Sequence, residues 1–187
     1  MSYHHGDLRA SILASAANAV ARRGATDLSL RELAREAGVS HAAPAHHFGD
    51  RRGLFTALAA DGFTQLADAL EGAHPDFHAA ALAYVDFALT NPGHYAVMFD
   101  PALLDAADAP LNAARDRAGA ALEAGIATLA PEQTSANSAT AAQAAWSLVH
   151  GFVSLWTSGA LGDSRDDADP REIASRIAYA LFPAAAD

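Results

Sequence analysis

Alanine removes most of the fold options open to this chain. It supplies about half of the hydrophobic residues, which together make up 51% of the 187 positions, while Val and Ile are sparse. Alanine has the highest helix propensity and fits poorly on a half-buried pleated surface, so an all-α fold is expected. Apolar residues recur at spacings of three and four between Gly and Pro marks, as in helices that bury one face. With 18% charged residues the chain reads as globular, and its length allows one domain or two small ones. Cysteine is absent, so disulfides, thiol nucleophiles and cysteine metal sites are excluded.

No Asp, Glu, Lys or Arg occurs between Glu132 and Asp163. A membrane span wants about 20 predominantly apolar residues, and this stretch is interrupted by Asn137, Gln143, Ser147, His150, Thr157 and Ser158. A helix buried in a bundle is the expected form. The start, Met1-Ser2-Tyr3-His4-His5-Gly6-Asp7, lacks a basic stretch followed by an apolar one, so a cytoplasmic location is expected.

Charge divides the chain. Residues 1–55 hold seven arginines and five acids, a net +2, with five of the nine histidines. The remaining residues hold five arginines and seventeen acids, a net −12, and there is no lysine anywhere. A basic, histidine-rich head on an acidic body suits a head that meets a polyanion. The expected domains are therefore 1–55 and 56–187.

The head reads as three short helices. Asp7 is placed to cap the first, with Leu8, Ile12, Ala16, Ala19 and Val20 inward, Arg22 and Arg23 in the last turn, and Gly24 as the stop. The second opens on Ser29-Leu30-Arg31-Glu32, the serine-to-glutamate spacing of a capping box, buries Leu30, Leu33, Ala34 and Ala37, and ends at Gly38. Ser40 can cap a third helix ending near Phe48, and Asp50 the next, which carries Leu54, Leu58 and Phe63. Two short helices joined by a turn containing glycine form a helix-turn-helix. The outer side of its second member offers His41, Ala42, Ala43, His46 and His47. Small residues allow close approach to a groove, and imidazoles can donate to phosphates or purine acceptors. Spacing alone also fits a generic three-helix packing unit.

The run from Ile12 to Leu58, with Ser29-Leu30-Arg31-Glu32-Leu33-Ala34, Ala37-Gly38-Val39-Ser40, His47-Phe48 and Asp50-Arg51, resembles the DNA-binding domain of the TetR family of transcriptional regulators. The opening Tyr3-His4-His5-Gly6-Asp7-Leu8-Arg9 and the later Trp146-Ser147-Leu148-Val149-His150-Gly151 resemble the branch with a C-terminal Trp-x-x-x-His-Gly motif. The resemblance implies an all-helical homodimer of about nine helices, with a DNA-binding head and a dimerising body that senses a small molecule. It places Ser29 near phosphate at the start of the second helix; Arg31 and Ser40 are expected to bind DNA as well. His41, Ala42, Ala43 and His46 fall on the groove-facing part of the recognition helix. His47 matches the histidine before the core phenylalanine, and Arg51 a backbone-touching lysine. Two departures stand out. Ala45 replaces a tyrosine that grips phosphate, and Pro44 lies within the third helix. That helix either starts as a tight turn or begins at Pro44, where proline is welcome.

In the body, helical stretches run over Phe77–Thr90, His94–Phe99, Leu111–Ala130, Ala136–Leu161 and Arg171–Phe182, with Gly162-Asp163-Ser164-Arg165-Asp166-Asp167 a solvated loop. The Trp146 helix is apolar on two faces and must be covered on both. Val149, Phe152, Val153 and Trp156, with Ile173, Ile177 and Leu181 of the last helix, are the expected two-fold interface. Paired heads would seek a palindromic operator in double-stranded DNA. Phe63, Tyr84, Phe87, Tyr95, Met98, Phe99, Trp146 and His150 either surround a largely apolar effector or form plain core. No cofactor, metal or membrane partner is expected, since His4-His5 and the His74/His78 pair lack companion ligands. No Gly-x-Ser-x-Gly elbow or phosphate-cradling glycine loop is present. The rival classes are an interaction or ligand-binding module without operator binding, and an enzyme with an unrecognised site.

Overall fold

A computed structural model of the chain describes residues 5–129, 138–162 and 168–182. Among these residues there are nine α-helices: α1 His5–Arg23, α2 Leu30–Glu36, α3 Ala43–Phe48, α4 Arg51–Ala73, α5 Phe77–Thr90, α6 Pro92–Met98, α7 Ala109–Ile126, α8 Ser138–Thr157 and α9 Pro170–Leu181. The His4, Pro131 and Asp163–Asp167 readings fall outside the described residues.

The chain forms two compact units. One holds residues up to Thr64 together with Asn91–Arg115; the other holds Gln65–Thr90 together with the described residues from Asp116 onward. Residues 91–115, distant from the head in sequence, thus pack with it in one unit. The physical reason lies in α6 and the turn after it. α6 packs on α1 so closely that a Cβ on Gly93 would stand 2.0 Å from the Ala17 carbonyl oxygen. Arg52 of α4 donates from Nε to the Leu104 carbonyl at 2.9 Å, and the Thr56 hydroxyl accepts from the Asp105 N–H at 2.9 Å. The His94 ring meets Asp61 of α4 at 3.1 Å. Sequence spacing carries none of this.

In the first unit, Ile12, Ala16, Ala19 and Val20 of α1 are buried as their spacing requires, together with Leu33, Ala34, Leu54, Phe55 and Leu58. α1 is described from His5 onward, and Asp7 lies within it. Arg22 and Arg23 do occupy the last turn, and both reach Glu36 of α2, at 3.2 and 2.7 Å. Gly24 ends the helix with φ +79°, a conformation glycine adopts without cost.

In the second unit, α5 packs against both α8 and α9. Phe77, Ile126, Ala141, Ala145 and Phe182 form a core cluster, and Tyr84, Val85 and Val153 are also buried. The His78 Nε2 lies 2.7 Å from the Phe182 carbonyl, and its ring stacks on Tyr179 at 3.8 Å. Part of the expected two-fold face is covered by the chain itself. Val149 and Phe152, with Ile177, close around a gap of about 10 Å³ shared with Ala81, Val85, Leu148 and Ala174, and Val153 is 0% exposed. These residues face their own chain because α5 and α9 cover them. Trp156 and Ile173 are half-buried. Trp146, Leu155, Tyr179 and Leu181 are the large apolar side chains left exposed among the described residues.

Candidate nucleic-acid interface

The head is assembled from local rules. The Ser29 hydroxyl accepts from the Glu32 N–H at 3.2 Å, capping α2, and itself donates to the Glu32 carboxylate at 2.9 Å. The serine half of the capping box is made; the glutamate turns to the hydroxyl instead of the cap N–H. At the other end, Val39 N–H reaches the Ala34 carbonyl at 3.0 Å and Gly38 N–H the Arg35 carbonyl at 3.3 Å. That pair of bonds, with Gly38 at φ +67°, is a Schellman stop.

Ser40 does not cap α3. Residues 41–42 form a turn closed by Ala43 N–H to the Ser40 carbonyl at 3.0 Å, and the helix proper starts at Ala43 with Pro44 in its first turn. Proline settles this start, because its missing N–H and fixed φ suit a first turn and not an interior. Pro44 and Phe48 are the buried side of α3, packed with α2. The Arg9 guanidinium lies 5.3 Å from the Phe48 ring centre. Gly49, at φ +76°, ends α3, and Asp50 caps α4 by accepting from the Gly53 N–H at 2.8 Å.

With that side inward, the opposite side is outward. Ser29, Arg31, Ser40, His41, Ala42, Ala45 and His46 are exposed, and Ala43 and His47 are half-buried. His46 and His47 rings meet edge to face at 5.5 Å. Among the described residues, none of His41, His46 and His47 makes an ion pair or a side-chain hydrogen bond. Arg35 joins this surface, exposed and one helical turn from Arg31 on the same side of α2. The i, i+4 spacing of the two arginines could have flagged it.

Arg51 is placed differently from its expectation. Its guanidinium donates to the carbonyls of Ala25 and, at 2.9 Å, Thr26, and lies 5.1 Å from the Phe55 ring centre. Through Nη2 it braces the turn between α1 and α2.

The eight candidate effector residues divide between the two units. Phe63, Tyr95, Met98 and Phe99 belong to the first unit, where Phe99 meets Phe63 at 5.4 Å and Tyr95 at 5.2 Å. Tyr84, Phe87, Trp146 and His150 belong to the second. There the Tyr84 hydroxyl and His150 Nδ1 are 3.1 Å apart, and Trp146 and His150 rings 5.8 Å apart. Desolvation lowers the pKa of His150 below the ordinary histidine value.

A short helix held across its predecessor by a glycine stop, with a polar outer side, defines a helix-turn-helix protein. Residues 12–58 match the family of bacterial regulatory proteins named for tetR, and residues 77–181 match the tetracyclin repressor-like C-terminal domain. The chain belongs to the TetR family of transcriptional regulators. Among solved structures, a protein of unknown function from Rhodococcus sp. RHA1 is 33% identical, with 97% of this chain and 96% of that one covered and a TM-score of 0.76. The TetR family regulator PfmR from Thermus thermophilus is 20% identical (94% and 99% covered, TM-score 0.69). NalD of Pseudomonas aeruginosa, the secondary repressor of the MexAB-OprM efflux pump, is 22% identical (94% of each chain covered, TM-score 0.58). No curated protein matches the sequence. No described helix is long and apolar enough to cross a membrane.

Proposed function

We propose that this regulator is a homodimeric repressor that binds a palindromic operator and leaves it when a small, largely apolar effector binds. The observation that carries the DNA reading is the outer side of residues 40–46, exposed and without ion pairs or side-chain hydrogen bonds among the described residues, while Pro44 and Phe48 anchor the opposite side. Ser29, Arg31 and Arg35 approach the phosphates; Ser40, His41, Ala42, Ala43 and His46 lie against the groove; His47 sits at its edge. Arg51 acts by holding the α1–α2 turn. Repression is favoured by likeness to NalD, itself a repressor.

Pairing is favoured by the outer face of α8. The helix has no charged residue over its twenty positions, and Ala144, Ser147, Ser154 and Leu155 are exposed along it, with Gly151 half-buried between them. Small residues there allow two copies to pack their α8 helices closely about a two-fold axis, with Leu181 at the edge. DNase footprinting with purified protein tests the whole reading: a symmetric protected site upstream of its own gene is expected. Absence of protection at any salt concentration would favour an interaction module that no longer binds operators.

Within this reading, His41→Ala or His46→Ala should change preference between operator sequences by about 1–3 kcal/mol at the affected position, whereas Arg31→Ala should weaken all sequences alike. Binding to an operator library checks the division. Equal loss across sequences for both kinds of variant contradicts it.

A further inference from the structure

From Glu36 to Asp50 there is no arginine or lysine, so His41, His46 and His47 are the side chains that can bring positive charge to the recognition element. We infer that operator binding by this protein takes up protons, through His41, His46 and His47. The inference rests on the operator-binding reading and specifies how it is regulated.

An imidazole is the side chain whose charge ordinarily changes between pH 5 and 8. Neutral, it offers one donor; protonated, it offers two and can neutralise a phosphate, releasing a counterion. A nearby phosphate favours the charged form, so DNA-bound protein holds these protons more tightly than free protein does. By linkage, affinity must fall as pH rises through the histidine range. A lysine or arginine at the same positions would stay charged throughout and give no such dependence.

The surroundings leave that role to the DNA. On α2 stand Arg31, Glu32, Arg35 and Glu36, on α1 Arg9, and in the turn between them Asp27. Asp50, Arg51 and Arg52 stand at the start of α4. Glu36 is paired with Arg22 and Arg23, Glu32 holds the Ser29 hydroxyl, and Asp50 holds the Gly53 N–H. Arg51 and Arg52 are turned to backbone carbonyls, and Arg9 lies over Phe48. No carboxylate pairs with the three imidazoles among the described residues, which leaves them open to the phosphates of the operator.

The test uses a duplex that the protein itself recovers from a random-sequence library, with affinity measured by fluorescence anisotropy at constant ionic strength. Between about pH 6 and about pH 8, Kd should weaken at least about tenfold. The double variant His41→Gln/His46→Gln, at exposed positions, should fold as the parent by circular dichroism and vary less than about threefold over the same range. His46→Arg should weaken less than the parent at the alkaline end. Calorimetric titration in two buffers of different ionisation heat should show net proton uptake that is smaller in the double variant. Specific, salt-dependent binding whose affinity is flat with pH would overturn the proton linkage and leave operator binding standing. A double variant with the full pH slope would overturn the assignment to His41 and His46. Failure to recover any duplex at any pH would remove the operator-binding reading and the linkage with it.

Discussion

Gly93 shows how much a single residue can decide. Any side chain there meets the Ala17 carbonyl at 2.0 Å, and backbone cannot swing away as a flexible side chain can. Gly93→Ala should therefore destabilise by about 1–3 kcal/mol or more, read as a lower Tm, while Ser29→Ala should cost about 1 kcal/mol through the lost cap. His150 gives a pH prediction. Its pKa is lowered in the folded chain, so as pH falls the unfolded chain takes up the proton first. Stability is then full above the ordinary histidine value, about 6.5, and declines as pH falls through it. Thermal unfolding on either side of that value should show the decline, and His150→Gln should reduce it. Neither Gly93 nor His150 announces its role alone. Gly93 lies in an Asn-Pro-Gly run that reads only as punctuation, and the surroundings of His150 come from α5, far away in sequence.

At the scale of elements, the second and third helices stand or fall together. Leu33 is 0% exposed, and its removal opens the core under α3. Leu33→Ala should cost about 2–5 kcal/mol in denaturant unfolding and reduce DNA binding with it. Arg51 separates a brace from a phosphate grip. Arg51→Lys keeps the charge but loses the planar fork that reaches two carbonyls, so stability should fall by about 1 kcal/mol. Unchanged stability with weakened DNA binding would instead restore the phosphate role. Element positions were legible at several ends where a single local signal stood without a competitor. α5 runs from Phe77 to Thr90 as spacing predicts, and Ser29, Gly38 and Asp50 act where expected. The start of α3 was not legible, because Ser40 as cap and Pro44 as first-turn residue compete; the turn at 41–42 satisfies the proline.

For the whole molecule, the charge division along the sequence and the uncharged face of α8 point to separate tasks for head and body. Gly151 provides the sharpest test of pairing. A Cβ there meets nothing within 4 Å in the chain itself, so Gly151→Glu should leave the monomer folded while blocking close approach of two α8 helices. Sedimentation should show a shift from dimer to monomer, and operator affinity should drop at least about tenfold as one half-site is lost. A variant that remains dimeric would move the interface elsewhere.

Capping, helical periodicity, glycine stops and the family pattern are written within a few residues of one another, so the sequence alone determined the all-helical architecture and the reading head. Which apolar stripe is covered, where Arg51 spends its donors, and how residues 91–115 join the head depend on partners distant along the chain. Val149 and Leu155 look alike as members of a helical pattern, and only the arrival of α5 and α9 buries the first and leaves the second in water. Burial is a property of what surrounds a residue in space, and local spacing does not encode it.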